Sequence, residues 1–172
     1  MQNLFYHPIV IDDLTTAEKK FKVEASAEEL SEVAEILKVR HIKEISAEIF
    51  VKLNRKEHLL NVWGKIKTEM ELQSVVSLEY FYKTYEPEFE LLYDTKMTLK
   101  EFKELEETTD DELPDIITDG QINLGDLIIE QIALAMDDYP RQDGESFHFE
   151  SEFDEETTKA QNPFNILAKL KK

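Results

Sequence analysis

The stretch DGQINLGDLIIEQIALAMDDYPR, residues 119–141, predicts the helix on which the rest of the fold depends. Asn123 is a favourable N-cap, and Asp126 three residues later suits the positive end of a helix dipole. The Tyr139-Pro140 pair ends the helical pattern, because proline disfavours a helical conformation in the residue before it. At 100° per residue, apolar side chains cover most of the circumference: Leu124, Leu127, Ile128, Ile129, Ile132, Leu134, Ala135 and Met136. This pattern predicts a central helix over residues 123–138 that is buried on nearly all sides.

Two alternating segments upstream predict an antiparallel hairpin. Apolar and polar residues alternate over 45–53 and again over 60–70, with a short polar turn between them. Further strands are predicted over 74–85 and, after Pro87, over 88–93. Sequential strands with short links usually lie side by side, which favours a meander.

A second helix is predicted over residues 26–38. Ser26 and Glu29 have the spacing of a capping box, and an apolar stripe follows them at helical intervals. The predicted fold class is therefore α+β: a mostly antiparallel meander of four or five strands with one capping helix and one central helix.

The remaining segments suggest a single domain with an appended tail. Residues 1–141 are predicted to form the domain, which includes an acidic loop at about 94–118. Thr98 and Glu101 have the spacing to cap a short helix within that loop. Residues 142–161 are predicted to be an acidic linker, and 162–172 a short amphipathic C-terminal helix.

The charge is strongly negative and unevenly distributed. The chain has 172 residues with 38 acidic and 20 basic side chains, for a net charge of −18. Residues 86–156 hold 24 of the acids and only 4 of the bases, whereas the last sixteen residues carry four lysines. Nucleic-acid binding usually requires a cationic surface that displaces counterions from phosphate. The charge therefore favours a basic protein partner over direct binding of RNA.

Sequence motifs of catalysis and metal binding are missing. There is no cysteine for a disulfide, a thiolate nucleophile or a zinc site, and no two of the four histidines have metal-ligand spacing. The acidic run 110–112 lacks the pattern of a calcium loop, and no glycine-rich phosphate loop is present. We expect no cofactor, no metal and no enzymatic activity. The lack of a long apolar run or a secretory leader predicts a cytoplasmic protein without a membrane span.

Three motifs carry a resemblance to a known family. They are Ile122-Asn123-Leu124 with Glu130–Met136 and Tyr139-Pro140-Arg141, then Asn162–Lys171, and more weakly Ser74–Glu79. In this order and spacing they resemble the YceD family, the large ribosomal RNA subunit accumulation proteins, and the resemblance extends over essentially the whole chain. It implies a non-enzymatic role in the synthesis, processing or stability of large-subunit ribosomal RNA, hence in ribosome biogenesis.

The resemblance also implies a difference at one position. Many members of the family have a Cys-x-x-Cys pair where this chain has Ser74 and Ser77. Hydroxyl groups are poor zinc ligands, so the metal or redox chemistry implied for those members is not expected here.

One candidate site lies on the outward face of the hairpin. Phe50 and Trp63 are within cross-strand reach, and Lys52, Lys65 and Lys67 share their face. Aromatic rings interleaved with lysines are typical of RNA-binding sheets. The alternative is that the central helix or the N-terminal segment, residues 4–10, simply covers both rings.

The other candidate site is the C-terminal segment. Phe164, Leu167 and Leu170 form an apolar stripe, and Lys169 and Lys171 follow at the negative end of the predicted helix. Such a helix on an acidic tether either docks on a partner or folds back on its own sheet. The preferred hypothesis is a contact with a basic ribosomal or rRNA-processing protein; the alternative is direct RNA binding through Phe50 and Trp63. Oligomeric state is not predictable from the sequence.

Overall fold

A computed structural model describes residues 4–146 of the chain. The chain divides into two units at Gln142, and every element below belongs to the first. Those elements are β1 (Pro8–Val10), a 3₁₀ turn (Ile11–Asp13), β2 (Lys19–Glu24), α1 (Ala27–Leu37), β3 (His41–Asn54), β4 (Leu59–Gln73), β5 (Tyr80–Tyr85), β6 (Glu88–Asp94), α2 (Leu99–Glu106), β7 (Asp115–Ile116), β8 (Gln121–Asn123) and α3 (Leu124–Ala135).

The main sheet is an antiparallel meander built on the long strand β4. β2 pairs with β3, β3 with β4, and β4 with both β5 and β6 along its other edge. Thr68 faces Tyr85 and Lys65 faces Glu88, so β5 and β6 keep one register and form a single interrupted strand. The interruption contains Pro87, whose carbonyl still accepts the Ile66 N–H at 3.0 Å. The predicted α+β class is confirmed, with short β7 added parallel to β6.

The β3–β4 hairpin follows the predicted alternation. Phe50 lies directly opposite Trp63, and Ile49 lies opposite Gly64. Successive side chains of a strand point to opposite faces, so one face of the hairpin is apolar and the other polar. The apolar face is buried and forms most of the core: Ile45, Ala47, Ile49, Val51, Leu53, Leu60, Val62, Ile66, Met70 and Leu72.

The strand predicted over 74–85 begins only at Tyr80, so its first six residues were assigned wrongly. Residues 74–79 form a turn instead, closed by the Ser74 N–H donating to the Glu79 carbonyl at 2.9 Å. The Ser74 hydroxyl also accepts the N–H groups of Val76 and Ser77. A serine that satisfies nearby backbone groups favours a turn over a sheet ladder, which the apolar pattern alone did not indicate.

Both predicted capping boxes are present. Ser26 and Glu29 exchange hydrogen bonds at the start of α1, and Thr98 and Glu101 do so at the start of α2. The acidic segment that was predicted to be a loop, 94–118, therefore contains a helix of 8 residues and the short strand β7.

α3 starts where the sequence predicted and ends earlier. Asn123 caps it by accepting the Gly125 N–H at 3.0 Å, and the helix stops at Ala135, before the Tyr139-Pro140 pair. Its buried side chains, Leu124, Leu127, Ile128 and Ile132, occupy one face. Asp126 and Glu130 are exposed, and Leu134 on the last turn is 73% exposed, so the prediction of burial on nearly all sides is wrong.

The N-terminal segment is held against α1 and α3. Phe5 is completely buried, and the Glu32 carboxylate accepts the N–H groups of Leu4 and Phe5 at 2.8 and 3.0 Å. Asn123 Oδ1 accepts the His7 N–H at 2.8 Å, and the His7 carbonyl accepts the Leu124 N–H at 2.9 Å. β1 then pairs with β8, which ties the N-terminal segment to the strand that precedes α3.

Candidate functional site

The outward face of the sheet brings together the aromatic pair that the sequence predicted. The rings of Phe50 and Trp63 stack with centroids 5.8 Å apart and an interplanar angle of 14°. Lys20 Nζ lies 5.3 Å from the centroid of the Phe50 ring. Both aromatic side chains are partly buried, and a surface depression beside them is also lined by Lys65 and Glu90. Both rings are therefore partly accessible to solvent.

The alternative considered for these rings, that a helix or the N-terminal segment covers them, is wrong. Phe50 alternates with Ile49 and Val51, which point into the core. α1 and α3 pack on that core side of β3 and β4. Because side chains alternate across a strand, Phe50 and its stacked partner Trp63 occupy the face away from both helices.

Carboxylates neutralise most of the lysines on this face. Lys65 Nζ lies 3.9 Å from Glu88, and Lys67 Nζ lies 2.7 Å from Glu44. Lys67 is exposed, and its hydrogen bond to Glu44 raises its pKa. These are exposed pairs, each contributing little to stability, but they balance the positive charge locally.

Further cations and acids complete this charge mosaic. Glu48 is shared by Lys20 and Lys22, at 3.0 and 3.6 Å, and the pKa of its carboxyl is lowered by the hydrogen bond from Lys20. Lys52 is exposed and faces Asn61 across the hairpin. The face is thus aromatic and mixed in charge, not the uninterrupted cationic surface that phosphate binding favours.

The turn that contains Ser74 and Ser77 is built around a buried hydroxyl. Ser74 has no exposed surface, and its Oγ accepts N–H groups from Val76 at 3.1 Å and Ser77 at 3.2 Å. The neighbouring Val75 N–H donates to the Pro140 carbonyl at 2.9 Å, which fastens the turn to the chain beyond α3. The geometry gives Ser74 a structural role. Within residues 4–146, no three potential ligands cluster as a metal site requires.

A second contact holds the end of α3 to β5. The Asp137 carboxylate accepts hydrogen bonds from Lys83 Nζ and, at 2.9 Å, from the Tyr85 hydroxyl. The hydrogen bond from Lys83 is the largest influence that lowers the Asp137 pKa. Burial, together with this carboxylate, raises the pKa of Tyr85 to about 12. The polar groups here are paired with one another and serve to position the helix.

One surface feature was missed by the sequence analysis. A groove separates the β3–β4 turn from α2, in the segment that was predicted to be an acidic loop. Met97 and Leu105 are the apolar residues of its lining. The Thr98–Glu101 capping box predicted the helix, but only the structure places that helix beside the hairpin turn.

The C-terminal candidate residues lie outside the described part of the chain. Phe164, Leu167, Leu170, Lys169 and Lys171 therefore remain a prediction. Among the helices that the structure describes, none is long and apolar enough to cross a membrane.

Fold and surfaces together define an acidic α+β protein with an aromatic face of mixed charge and a groove beside α2. The sequence model of the large ribosomal RNA subunit accumulation protein YceD family matches residues 62–171. The chain belongs to this family, and a ribosome-related role follows from that membership. All three motifs that carried the resemblance lie within the matched range. This range begins in β4 and leaves residues 1–61 outside it, so the expectation that the resemblance extends over essentially the whole chain is wrong. None of the curated proteins or solved structures matches the chain.

Proposed function

We propose that this protein is a non-enzymatic, cytoplasmic ribosome-biogenesis factor that supports large-subunit ribosomal RNA by binding a basic ribosomal or rRNA-processing protein. Membership of the YceD family supports the link to large-subunit RNA. The choice of a protein partner rests on charge.

The observation that carries this choice is the pairing of lysines with carboxylates on the outward face. Lys65 and Lys67, two of the three lysines expected to contact phosphate, are paired with Glu88 and Glu44. An RNA strand would have to break these pairs while approaching a protein of net charge −18. A basic protein is instead attracted to this chain, because its positive charge is opposite in sign to the net negative charge of the chain.

A tagged pull-down from cells, with and without ribonuclease, tests the proposal directly. We expect the same basic protein to be recovered in both samples. Loss of every partner after ribonuclease treatment would show that RNA bridges the contact, and would refute the proposal.

We further propose that the C-terminal segment makes a second contact with the partner. The stripe of Phe164, Leu167 and Leu170 supplies apolar surface, and Lys169 and Lys171 flank it. Deletion of 162–172 is expected to lower large-subunit RNA levels in cells while changing the melting temperature of the purified protein very little. A large drop in melting temperature would instead indicate packing on the protein's own domain, where each buried apolar side chain contributes about 1.5–3 kcal/mol.

The second candidate function is direct RNA binding by the Phe50–Trp63 face. The stacked rings and the lysine above Phe50 favour it, because such surfaces stack unpaired bases. Under the protein-partner proposal, ribosomal RNA fragments should bind no tighter than about 10⁻⁴ M at physiological salt. Submicromolar binding that is lost on Trp63→Ala would favour the RNA function instead.

A further inference from the structure

The groove beside α2 has the properties of a peptide-binding surface. Its volume of about 740 Å³ falls within the range of roughly 300–1,000 Å³ typical of ligand sites. Met97 and Leu105 supply its apolar lining, and Leu105 is 39% exposed. The groove thus presents apolar side chains that the rest of residues 4–146 leaves partly uncovered.

The helix that forms one wall of the groove, α2, has no fully buried side chain. α2 has 8 residues, and none of them is buried. Isolated helices shorter than about 12–15 residues are marginal in water, so most of a short helix's stability must come from packing. A ligand that covers Leu105 would supply the packing that α2 lacks.

Carboxylates that are held by hydrogen bonds line the groove beside these apolar side chains. Asp94 Oδ1 accepts the N–H groups of Lys96 and Met97 at 2.8 and 2.7 Å, which fixes this carboxylate at the edge of the groove. Glu101 is held by its capping box with Thr98, and hydrogen bonds from the backbone and hydroxyl of Thr98 lower its pKa.

Two further carboxylates, those of Glu57 and Glu104, also line the groove. Glu57 accepts a hydrogen bond from Asn54 at 2.6 Å, and Glu104 lies 3.8 Å from Lys100 on the helix surface. Against these four acids the groove lining contains one lysine, Lys96. Neutral donors hold Asp94, Glu57 and Glu101 without cancelling their charge, so the groove is negative before any ligand arrives.

From this geometry we infer that the groove between the β3–β4 turn and α2 binds a basic segment of the protein partner. An apolar side chain of that segment contacts Leu105 and Met97. Its arginine or lysine side chains lie toward the groove carboxylates: Glu57, Asp94, Glu101 and Glu104. The inference rests on the proposed function and deepens it, because it names the surface and the chemistry of the bound segment. Helix-in-groove and charge-rich peptide recognition both use this combination of an apolar floor and a charged rim.

Crosslinking in cells identifies the occupant. A photoreactive benzoylphenylalanine replaces Lys96 in the full chain, and the same unnatural residue placed at exposed Glu28 on α1, away from both candidate surfaces, serves as the control. We expect Lys96→benzoylphenylalanine to crosslink to a lysine- or arginine-rich segment of another protein, and the control to give no such product. A crosslink to residues 157–172 of the same chain, to RNA, or to nothing would overturn the inference.

Two matched pairs of variants test the chemistry on the purified full chain. The probe is a fluorescein-labelled peptide of alternating arginine and leucine. Leu105→Ser is expected to weaken its binding about tenfold, whereas Leu99→Ser on the outer side of the same helix leaves it within about twofold. Likewise Glu104→Lys should weaken binding several-fold more than Glu106→Lys, which makes the same charge change outside the groove. Equal effects within either pair would overturn the inference.

The outcomes separate the two levels of the proposal. If a protein partner survives ribonuclease in the pull-down but Glu104→Lys and Leu105→Ser retain it fully, the groove is refuted and the proposed function stands. If ribonuclease removes every partner, the proposed function itself fails.

Discussion

Substituting Gly125 by alanine should release the N-terminal segment from α3. An added Cβ would overlap the carbonyl oxygen of Phe5 and lie 2.8 Å from its carbonyl carbon. The obstructing atoms belong to backbone and cannot rotate away. Either α3 or the N-terminal segment must move. We expect the segment to move, because β1 pairs over only three residues whereas α3 is anchored by several buried side chains.

The magnitude follows from the contacts that would be lost. Exposing the Phe5 side chain costs about 1.5–3 kcal/mol. Loss of the two hydrogen bonds between His7 and the start of α3 costs about 1 kcal/mol each. Alanine returns about 1 kcal/mol through its higher helix propensity. We expect Gly125→Ala to lower the free energy of unfolding by roughly 2.5–4 kcal/mol.

Urea denaturation measures this effect in two pairs of proteins: the full chain with and without Gly125→Ala, and a chain that lacks residues 1–6 with and without the same substitution. In the full chain, alanine should destabilise. In a chain that lacks residues 1–6 the overlap with the Phe5 carbonyl is removed and only Asn123 Oδ1, at 3.2 Å, stays close to the added Cβ, so Gly125→Ala should cost much less. The Leu124 amide, which donates to His7, should exchange its hydrogen faster in the full-length variant. An equal loss of stability with and without residues 1–6 would refute the close approach as the cause.

Three other substitutions test separate parts of the fold. Ile128→Ala should cost about 2–5 kcal/mol because the side chain is completely buried, whereas Leu134→Ala on the exposed last turn of the same helix should cost less than about 0.5 kcal/mol in the same denaturation assay. Gly64→Ala should cost about 1–3 kcal/mol and shift the fluorescence of the adjacent Trp63, the single tryptophan, because an added Cβ would overlap the Glu48 carbonyl oxygen. Asp137→Asn should cost less than about 1 kcal/mol at neutral pH, since the pair with Lys83 is partly exposed. The folded-state pKa of Asp137 is lowered, so its contribution is present above the unfolded value near 3.8 and disappears as pH falls below it. A difference between wild type and Asp137→Asn that stays constant down to pH 2 would contradict this assignment.

Local patterns predicted the parts of the fold that local chemistry determines. The period-2 alternation placed the β3–β4 hairpin, with Phe50 opposite Trp63 as expected. The Ser26–Glu29 and Thr98–Glu101 spacings placed two helix starts, because a capping box lies within four consecutive residues. Asn123 did the same for α3.

Pairings between distant residues could not be predicted in this way. β1 and β8 are each 3 residues long. Beside them, the Phe5 N–H donates to Glu32 of α1 and the Phe5 carbonyl lies against Gly125 of α3, contacts that join residues far apart in sequence. β7 has only 2 residues, too few for any periodic signal. The close approaches at Gly64 and Gly125 depend on neighbouring backbone that no local pattern specifies.

The candidate sites show the same difference between features set by local sequence and features set by contacts of distant residues. Sequence alternation correctly placed Phe50 and Trp63 on one face, yet gave no indication of the cross-strand carboxylates that neutralise Lys65 and Lys67. The groove beside α2 was missed because it forms between a hairpin turn and a helix about 40 residues further along the chain.

The N-terminal segment also dictates the order in which the domain can be completed during synthesis. His7 and Asn123 are 116 residues apart, so the hydrogen-bond partner of His7 is synthesised long after His7 itself. Until β8 and α3 have left the ribosome, β1 has no strand to pair with and Phe5 lacks the neighbours that α3 supplies. The hairpin β3–β4, whose contacts are close in sequence, can form well before that. The start of the chain therefore acts as the closing piece of the domain, and a nascent chain that stops before Asn123 keeps Phe5 available to chaperones.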